Sequence, residues 1–256
     1  MPPMYEKSDL QGRTAIVTGG SSGIGRVTAQ AFAREGVNVA VSDVDVEGGE
    51  ETMRLIKADG GEATFIRADV SDPEECQSLV EQTVQTYGEL HFACNNAGIG
   101  GAAALTADYP LDAWKQVIGI NLNGVFYCMK YEIPEMLKTG RGVIVNMASI
   151  LGQVGFPTAP AYVSAKHGVI GLTKNAALEY ASENLRVVAV CPAFIRTPMI
   201  EEGLPPEALA QITQRHPIGR LGKPEEVAEL VIWLCTEHAS FVTGEAILVD
   251  GGYVAQ

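Results

Sequence analysis

The segment "TGGSSGIG", residues 18–25, directly follows a short β-branched run, "TAIVT" (14–18), and opens a stretch of helical periodicity. Gly19, Gly23 and Gly25 lack side chains, which permits a tight turn and lets the backbone approach a pyrophosphate. The N-terminus of the following helix offers unpaired N–H groups to such an anion. Because a strand precedes the glycines and a helix follows them, the segment predicts a dinucleotide-binding turn.

Similar β-branched runs recur along the chain and alternate with longer segments of helical periodicity. This alternation is typical of βαβ units, which build a parallel sheet covered by helices on both faces. We therefore expect an α/β fold, a Rossmann-type doubly wound parallel sheet of about seven strands. The expected strands are 14–18, 38–42, 64–68, 91–95, 142–147, 186–191 and 246–249.

Local signals also mark the ends of some helices. The first helix is expected over 25–35 and stops at Gly36, a helix-terminating residue. Pro73 and Pro224 stand where first helical turns would begin.

Nothing in the sequence divides the chain into domains. No internal repeat, low-complexity tract or linker interrupts its 256 residues, a length that one domain with one core can reach. We therefore expect a single dinucleotide-binding and catalytic domain over 1–256. The proline-punctuated segment 199–219 is the least sheet-like part of the second half, and we interpret it as a substrate flap.

Composition restricts the partners and the compartment. The net charge of −13 argues against nucleic-acid and membrane partners, which call for a basic surface. The five cysteines show no C-x-x-C spacing and the histidines do not cluster, so we expect reduced thiols and no metal site. The N-terminal residues 1–12 lack the features of a secretory signal, and no apolar run approaches the roughly 18 residues of a membrane span. We expect a soluble, cytoplasmic protein.

The second expected strand ends in "VSDVD", residues 41–45. An acidic side chain at this strand edge accepts hydrogen bonds from the ribose of NAD and repels the 2′-phosphate of NADP. Asp43 is preferred over Asp45, because Asp45 already begins the next helix and would serve as an N-terminal charge there. No Lys or Arg occupies positions 20–22 or 44. The sequence therefore favours NAD.

Tyr162 and Lys166, in "AYVSAKHG" (161–168), are four residues apart at the start of an expected helix and would share one helix face. Ser149 ends the fifth strand, and ligands bind at the carboxyl ends of parallel strands, so the three side chains would converge on one crevice. A phenol of pKa about 10 must drop by about 3 units, roughly 4 kcal/mol, to act near pH 7. An ammonium about 4 Å away, at an effective dielectric near 20, supplies about that much.

Five motifs follow one another in order from about residue 12 to the C-terminus, and their spacing resembles that of the short-chain dehydrogenase/reductase family. The motifs are T-G-x-x-x-G-I-G at 18–25, "NNAG" at 95–98, "NLNGVF" at 121–126, Ser149 in "NMAS", and Tyr162-x-x-x-Lys166. The resemblance implies hydride transfer between a nicotinamide cofactor and a secondary alcohol or ketone.

By this resemblance Tyr162 is the acid/base and Ser149 holds the substrate oxygen. Lys166 would bind the nicotinamide ribose while acidifying the tyrosine. Asn121 would open a local helix kink and hold a water that links the lysine to solvent; a plain helix-internal asparagine is the alternative. The expected catalytic residues are thus Asn121, Ser149, Tyr162 and Lys166.

The resemblance also implies a cofactor pocket, shaped beside the adenosine ribose by "NNAG", in which Asn96 could also brace the central strand. Asp69 and Val70 would lie against adenine, although Asp69 by itself resembles a helix cap. The expected cofactor-binding residues are Gly19, Ser22, Gly23, Ile24, Gly25, Asp43, Asp69, Val70, Asn96, Ala97, Gly98, Tyr162, Lys166, Pro192, Ile195 and Thr197. The chain departs from the family at Ala193, where glycine usually follows the proline. A methyl group there would narrow the floor beneath the nicotinamide and restrict the backbone torsion.

The residues expected to face the substrate are almost all apolar and include no Arg or Lys, which favours a neutral, fairly hydrophobic secondary alcohol or ketone. They are Ile150, Leu151, Val154, Phe156, Phe194, Met199 and Leu204. Gln153 would orient a second oxygen. The last stretch resembles the family's C-terminal tail, which packs at a dimer interface within a tetramer, so we expect a homotetramer. The carboxylate of Gln256 near a symmetry axis would be a candidate ligand for a structural cation.

Other functions stay open at this point. A 3-oxoacyl-carrier-protein reductase has nearly the same motifs, but Asp43 disfavours NADPH and the acidic surface would repel an acidic carrier protein. A sugar dehydrogenase of the glucose type is a second alternative. A nucleotide-sugar epimerase would need a larger C-terminal domain, and the intact catalytic set disfavours an NAD-binding sensor without enzymatic activity.

Overall fold

The computed structural model describes residues 9–201 and 205–256. Its seven strands pair in parallel throughout and lie in the order β3-β2-β1-β4-β5-β6-β7. This confirms the predicted doubly wound sheet. The strands are β1 Thr14–Thr18, β2 Asn38–Asp43, β3 Ala63–Arg67, β4 Phe92–Asn95, β5 Gly142–Met147, β6 Leu185–Pro192 and β7 Ala246–Val249.

The first three strands extend the sheet from β1 toward one edge, and β4 to β7 extend it toward the other. The switch lies between β1 and β4, which pair with each other in parallel. In open parallel sheets such a switch point leaves a crevice at the carboxyl ends of the two strands. The topology therefore fixes where a ligand site would lie before any side chain is considered.

Helices connect the strands and cover both faces of the sheet. Within the described residues they are α1 Gly23–Arg34, α2 Val46–Ala58, α3 Pro73–Tyr87, α4 Leu111–Ile118, α5 Gly124–Lys138, α6 Pro160–Tyr180, α7 Pro198–Glu201, α8 Pro206–Gln214 and α9 Pro224–Cys235. A π-helical turn, Gly119–Asn123, joins α4 to α5. No helix in this part of the chain is long and apolar enough to cross a membrane.

The core consists of two layers, because successive strand residues point to opposite faces of the sheet. Val17 of β1 packs in one layer with Phe32 of α1 and Val231 of α9. Its neighbour Ile16 packs in the other layer with residues of α3, α5 and α6, among them Leu79. Both faces are covered, and all residues of β1 and β5 are buried as a result.

The predicted strand boundaries agree with the observed ones to within one residue, and those of the first helix to within two. The first helix begins at Gly23 rather than residue 25, and Pro73 and Pro224 occupy first helical turns as predicted. One correction affects the site: β5 ends at Met147, so Ser149 does not end that strand. Ser149 instead begins the short 3-10 turn Ile150–Gly152.

The segment interpreted as a substrate flap contains part of α7 and all of α8. Leu204, one of the residues expected to face the substrate, lies outside the described residues. A flap over 199–219 remains a prediction, as does a single domain that extends over all of 1–256.

Candidate active site

A cavity of about 640 Å³ opens at the carboxyl ends of the central strands. It is lined by every predicted site residue except Gly25 and Asn121. Those that line it are Gly19, Ser22, Gly23, Ile24, Asp43, Asp69, Val70, Asn96, Ala97, Gly98, Ser149, Tyr162, Lys166, Pro192, Ile195 and Thr197. Residues dispersed over 179 positions of sequence thus share one crevice at the switch point.

The glycine turn after β1 requires glycine for steric reasons. Gly19 and Gly23 have φ angles of +65° and +51°, a region that other residues rarely adopt. Gly25 lies behind the turn, where a Cβ atom would stand 2.0 Å from the carbonyl oxygen of Gly19. The turn therefore exposes backbone rather than side chains to the cavity, and this fits a pyrophosphate bound at the N-terminus of α1.

Asn96 holds this turn against the end of β4. Its side-chain Nδ2 donates to the carbonyl oxygens of Thr18 and Gly19 at 3.0 and 3.1 Å. Its backbone N–H donates to the hydroxyl of Thr18 at 3.0 Å. The predicted bracing role thus has a concrete form, a link between the ends of β1 and β4, and Asn96 lines the cavity at the same time.

Asp43 is the last residue of β2, and two backbone N–H groups fix its carboxylate. Ser21 donates to Oδ2 and Asp45 donates to Oδ1, each at 3.0 Å. Asp45 itself caps α2, where its side chain accepts from the N–H of Gly48 at 3.2 Å. Asp45 thus begins the helix as predicted, while the contact of Asp43 with a cofactor ribose remains a prediction.

Asp69 lines the cavity, but it is not the cap of α3. That cap is Asp72, which accepts from the N–H groups of the first helical turn. Asp69 instead accepts from the N–H and the hydroxyl of Ser71, at 2.9 and 2.7 Å. Arg67 lines the cavity nearby, and its guanidinium is paired with Glu75 at 2.8 Å.

Ser149, Tyr162 and Lys166 converge on the cavity from the turn after β5 and the first turns of α6. The Ser149 Oγ accepts the N–H of Leu151 at 3.1 Å, so the serine caps its own turn and keeps its hydroxyl hydrogen for another acceptor. The Lys166 Nζ donates to the carbonyl oxygen of Met147 at 2.6 Å and lies 5.6 Å from the centre of the Tyr162 ring. Tyr162 and Lys166 share one helix face, as predicted.

The protonation equilibria differ from the sequence-based expectation. Burial raises the pKa of Tyr162, and the Ser149 hydroxyl acts in the opposite direction. Burial also lowers the pKa of Lys166 to about 8. The Lys166 ammonium therefore does not lower the pKa of the Tyr162 phenol in this structure. Desolvation dominates the pKa of both groups, and the ammonium is bonded to a backbone carbonyl.

Asn121 is fully buried in the π-helical turn, which is the predicted local distortion of the helix. Its side-chain amide accepts from the N–H of Ile99 at 2.9 Å and donates to the carbonyl of Ile99 at 2.8 Å. The amide thus holds the loop after "NNAG" in place. Each polar atom of the amide makes one hydrogen bond, and the relay water remains a prediction.

Several residues expected to face the substrate do not line the cavity. Ile150 and Leu151 are buried in the interior, and the rings of Phe156 and Phe194 contact each other, with 6.1 Å between their centres. Val154 also lies outside the lining, so Met199 is the one described residue of the set that lines it.

Gln153 does not orient a second substrate oxygen either. Its amide nitrogen donates to the carbonyl oxygen of Ala246 at 3.0 Å, which ties the loop after β5 to β7. Sequence position placed these residues near Ser149, but only the path of the backbone decides which side chains turn toward the crevice.

The sequence reasoning missed other residues of the lining. Ser21 and Arg67 lie beside predicted strand ends and could have been found from their neighbours. Ile99 follows "NNAG" directly, whereas Gln116 and Ile120 come from α4 and the π-helical turn, which no local pattern in the sequence connects with the crevice. All five line the cavity.

Ala193, the departure from the family pattern, is accommodated without backbone strain. Its φ is not positive, and its N–H donates to the carbonyl of Val249 at 3.1 Å. The expected restriction of the backbone torsion is therefore absent, while the methyl group does line the cavity.

Comparison with known proteins agrees with this geometry. A family profile described as enoyl-(acyl carrier protein) reductase matches residues 19–254. The chain is 47% identical over 244 residues to a cyclohexanol dehydrogenase of Acinetobacter sp. (strain SE19), covering 95% of this chain and 96% of that protein. It is 43% identical over 251 residues to a 2,5-dichloro-2,5-cyclohexadiene-1,4-diol dehydrogenase of Sphingobium indicum, covering 97% and 99%. The crystal structure of levodione reductase superposes with a TM-score of 0.94 at 35% identity, covering 96% and 99%.

The chain therefore belongs to the short-chain dehydrogenase/reductase family. It is an oxidoreductase that acts on alcohol groups of a small-molecule substrate with a nicotinamide cofactor. The predicted family, fold class and reaction class are confirmed.

Proposed function

We propose that the enzyme interconverts a neutral, cyclic and fairly hydrophobic secondary alcohol and its ketone, with NAD as cofactor. The observation that carries this proposal is the convergence of Ser149, Tyr162 and Lys166 at one end of a cavity whose other end is marked by the Asp43 carboxylate. A bound nicotinamide would supply the hydride acceptor for oxidation and the hydride donor for reduction. This chain's residues bind and orient the reactants and move the proton.

Asp43 supports NAD over NADP. Its carboxylate is held at the cavity by two backbone N–H groups, so it cannot easily turn away from a 2′-phosphate. The one guanidinium in the lining, that of Arg67, is already paired with Glu75. Like charges would therefore face each other if NADP bound in this orientation.

Tyr162 takes the proton of the substrate hydroxyl in oxidation and returns it in reduction. Ser149 donates its hydroxyl hydrogen to the same substrate oxygen, an interaction that strengthens as negative charge develops there. Lys166, anchored to the carbonyl of Met147, presents its remaining N–H groups to the cofactor ribose. The positive charge of an oxidised nicotinamide would favour the phenolate form of Tyr162. Asn121 supports the loop at Ile99 and completes the proton path through a bound water.

The apolar character of the lining supports the class of substrate. Ile99 packs in the same cluster as Tyr162, and Met199 and Ile200 of α7 also line the cavity. Gln116 offers an amide for a second oxygen of the substrate. Two relatives are named for alcohols on six-membered rings, which is why we propose a cyclic substrate.

We also propose that the enzyme is a homotetramer in the cytoplasm. Apolar side chains are exposed on the helices of one layer: Leu111 and Trp114 of α4, Phe126 of α5 and Leu178 of α6. Five buried cysteines without a disulfide suit a reducing compartment. Light scattering that gave a monomer at micromolar concentration would count against the tetramer.

The substrate proposal is tested by NAD reduction with a panel of alcohols. We expect cyclohexanol and its ring-substituted derivatives to give higher kcat/KM than linear alcohols, glucose or a 3-hydroxyacyl thioester. Higher kcat/KM for glucose or for the thioester with NADP would instead support the sugar-dehydrogenase or carrier-protein-reductase alternatives.

A further inference from the structure

Polar side chains form a buried chain behind the crevice, between the sheet and the helices of one layer. The Nδ2 of Asn95, the last residue of β4, donates to Glu132 Oε2 at 3.0 Å and to Asn146 Oδ1 at 3.1 Å. The Nδ2 of Asn146 in turn donates to the Thr173 hydroxyl on α6 at 3.0 Å. Glu132, in the middle of α5, has no exposed area at all. The mechanism proposed above uses none of these side chains.

Two oxygen atoms of these four side chains lack hydrogen-bond partners. They are Oε1 of Glu132 and Oδ1 of Asn95, and both are buried. An ionised carboxylate and an amide carbonyl are both acceptors, so neither can satisfy the other. A proton on Glu132 Oε1 would convert it into a donor toward Asn95 Oδ1, and one protonation would satisfy both orphaned atoms.

Among residues 9–201 and 205–256, no positive charge near Glu132 stabilises a carboxylate. None of the described Lys or Arg side chains forms an ion pair with it. The titratable groups that face it are thiols, Cys94 of β4 and Cys128 of α5, with Cys76 of α3 in contact with the latter. On the side of β5 and α6, the polar side chains of the network are those of Asn146 and Thr173, and both are neutral. Burial raises the pKa of Cys94. The pKa of Cys128 is raised mainly by its contact with Cys76 and further by burial. The thiols of Cys94 and Cys128 therefore stay neutral.

We propose that Glu132 is a neutral carboxylic acid joined to the Asn95 amide by two hydrogen bonds, and that this pair is a positioning element of the active site. Asn95 directly precedes Asn96, which holds the glycine turn. Thr173, at the other end of this hydrogen-bonded row of side chains, lies on the helix that carries Tyr162 and Lys166. The acid–amide pair therefore sets the distance between the cofactor side and the catalytic side of the crevice.

Ionisation of Glu132 would cost stability as the pH rises. Burial raises its pKa from 4.5 to about 7, while the hydrogen bond from Asn95 acts in the opposite direction. A group whose pKa is raised by folding contributes its full stability below the unfolded value and loses it as the pH passes the folded value. With these two values, this group alone makes the unfolding equilibrium constant rise about tenfold between about pH 6 and about pH 9.

The first test compares Glu132→Gln with Glu135→Gln, a matched control one turn further along α5 whose side chain pairs with Lys138 near the surface at 2.7 Å. Glutamine reproduces both hydrogen bonds with Asn95 and cannot ionise. We expect urea unfolding to show the tenfold pH-dependent component in the wild type and in Glu135→Gln, and its loss in Glu132→Gln. The same pH dependence in all three proteins would overturn the proposal.

A second measurement detects the proton itself. At about pH 6 ordinary carboxyl groups are ionised. Infrared spectroscopy should show a carboxylic-acid C=O band in the wild type and in Glu135→Gln that is absent from Glu132→Gln. No such difference would mean that the side chain is ionised and that the proposal is wrong.

The positioning role is tested by Glu132→Leu, which is neutral but removes both hydrogen bonds between this side chain and the Asn95 amide and leaves the Asn95 Oδ1 without a partner. We expect Glu132→Gln to retain wild-type kcat and KM, and Glu132→Leu to lose at least tenfold in kcat with a smaller change in the Kd for NADH. Wild-type kcat in a folded Glu132→Leu variant would refute the positioning role. If that variant does not fold, Asn95→Leu combined with Glu132→Gln asks the same question.

Discussion

Gly25→Ala tests whether the turn after β1 is built for close approach of backbone to a dinucleotide. A Cβ atom at position 25 would lie 2.0 Å from the carbonyl oxygen of Gly19 and 2.6 Å from the amide nitrogen of Asn96. Ordinary contact begins at 3.4 Å, so the Gly19 carbonyl has to move by about 1.4 Å, the difference between the two distances. That carbonyl belongs to the backbone of the turn, and the turn must move with it.

The cost follows from the hydrogen bonds that this displacement breaks. The Asn96 amide donates to Thr18 and Gly19, and each bond contributes about 0.5–1.5 kcal/mol net. Loss of the bond to Gly19 and the carbonyl left without its donor together cost about 2–4 kcal/mol. Because NADH binding requires the undistorted turn, we expect Gly25→Ala to raise the Kd for NADH roughly 30-fold to several hundredfold.

The assay is fluorescence titration of the folded variant with NADH, alongside thermal unfolding. Gly171→Ala is the matched control, because this helical glycine of α6 has no atom within 4 Å of an added Cβ. We expect the control to bind NADH like the wild type and to gain about 0.5–1 kcal/mol in stability. Wild-type affinity in Gly25→Ala would refute the steric argument and, with it, the assignment of this turn to the pyrophosphate.

Three further outcomes are expected. Tyr162→Phe should lose most of its turnover while binding NADH almost as well as the wild type, as checked by steady-state kinetics and by titration; retained turnover would contradict the acid/base role. Ser149→Ala should move the rising limb of alcohol oxidation to higher pH in a pH–rate profile, because the Ser149 hydroxyl lowers the pKa of Tyr162 and oxidation requires the phenolate; an unmoved limb would mean that the two hydroxyls are not coupled. Asp43→Asn should raise the ratio of kcat/KM for NADP to that for NAD at least about tenfold, or about 1.4 kcal/mol, because the substitution removes a like charge and keeps an acceptor for the Ser21 N–H. An unchanged ratio would mean that Asp43 does not determine the cofactor preference.

Local signals were sufficient for the fold because they repeat along the chain. Most buried strands appear as β-branched runs, with β4 (FACN) the exception, and several helices appear as periodic segments that glycine or proline delimits. Helices such as α3 and α9 start at the proline that marks them. The order of the strands then follows from few choices, because parallel crossovers have one handedness.

The parts of the site that are fixed by strand ends could be predicted for the same reason. Asp43, Ser149 and Asn96 each come at or just after a strand, so the parallel sheet brings them to the same edge. Tyr162 and Lys166 are related by one helical turn, and their common face needs only local geometry.

The sequence by itself thus determined the doubly wound sheet, the glycine turn and the residues that meet at the carboxyl edge. Only the tertiary structure decided the protonation behaviour and the direction of individual side chains. Gln153 binds β7 instead of facing the substrate, and burial rather than the nearby ammonium dominates the pKa of Tyr162. The physical reason is that desolvation and side-chain direction depend on atoms supplied by distant segments, whereas strand and helix periodicity depends on near neighbours in the chain.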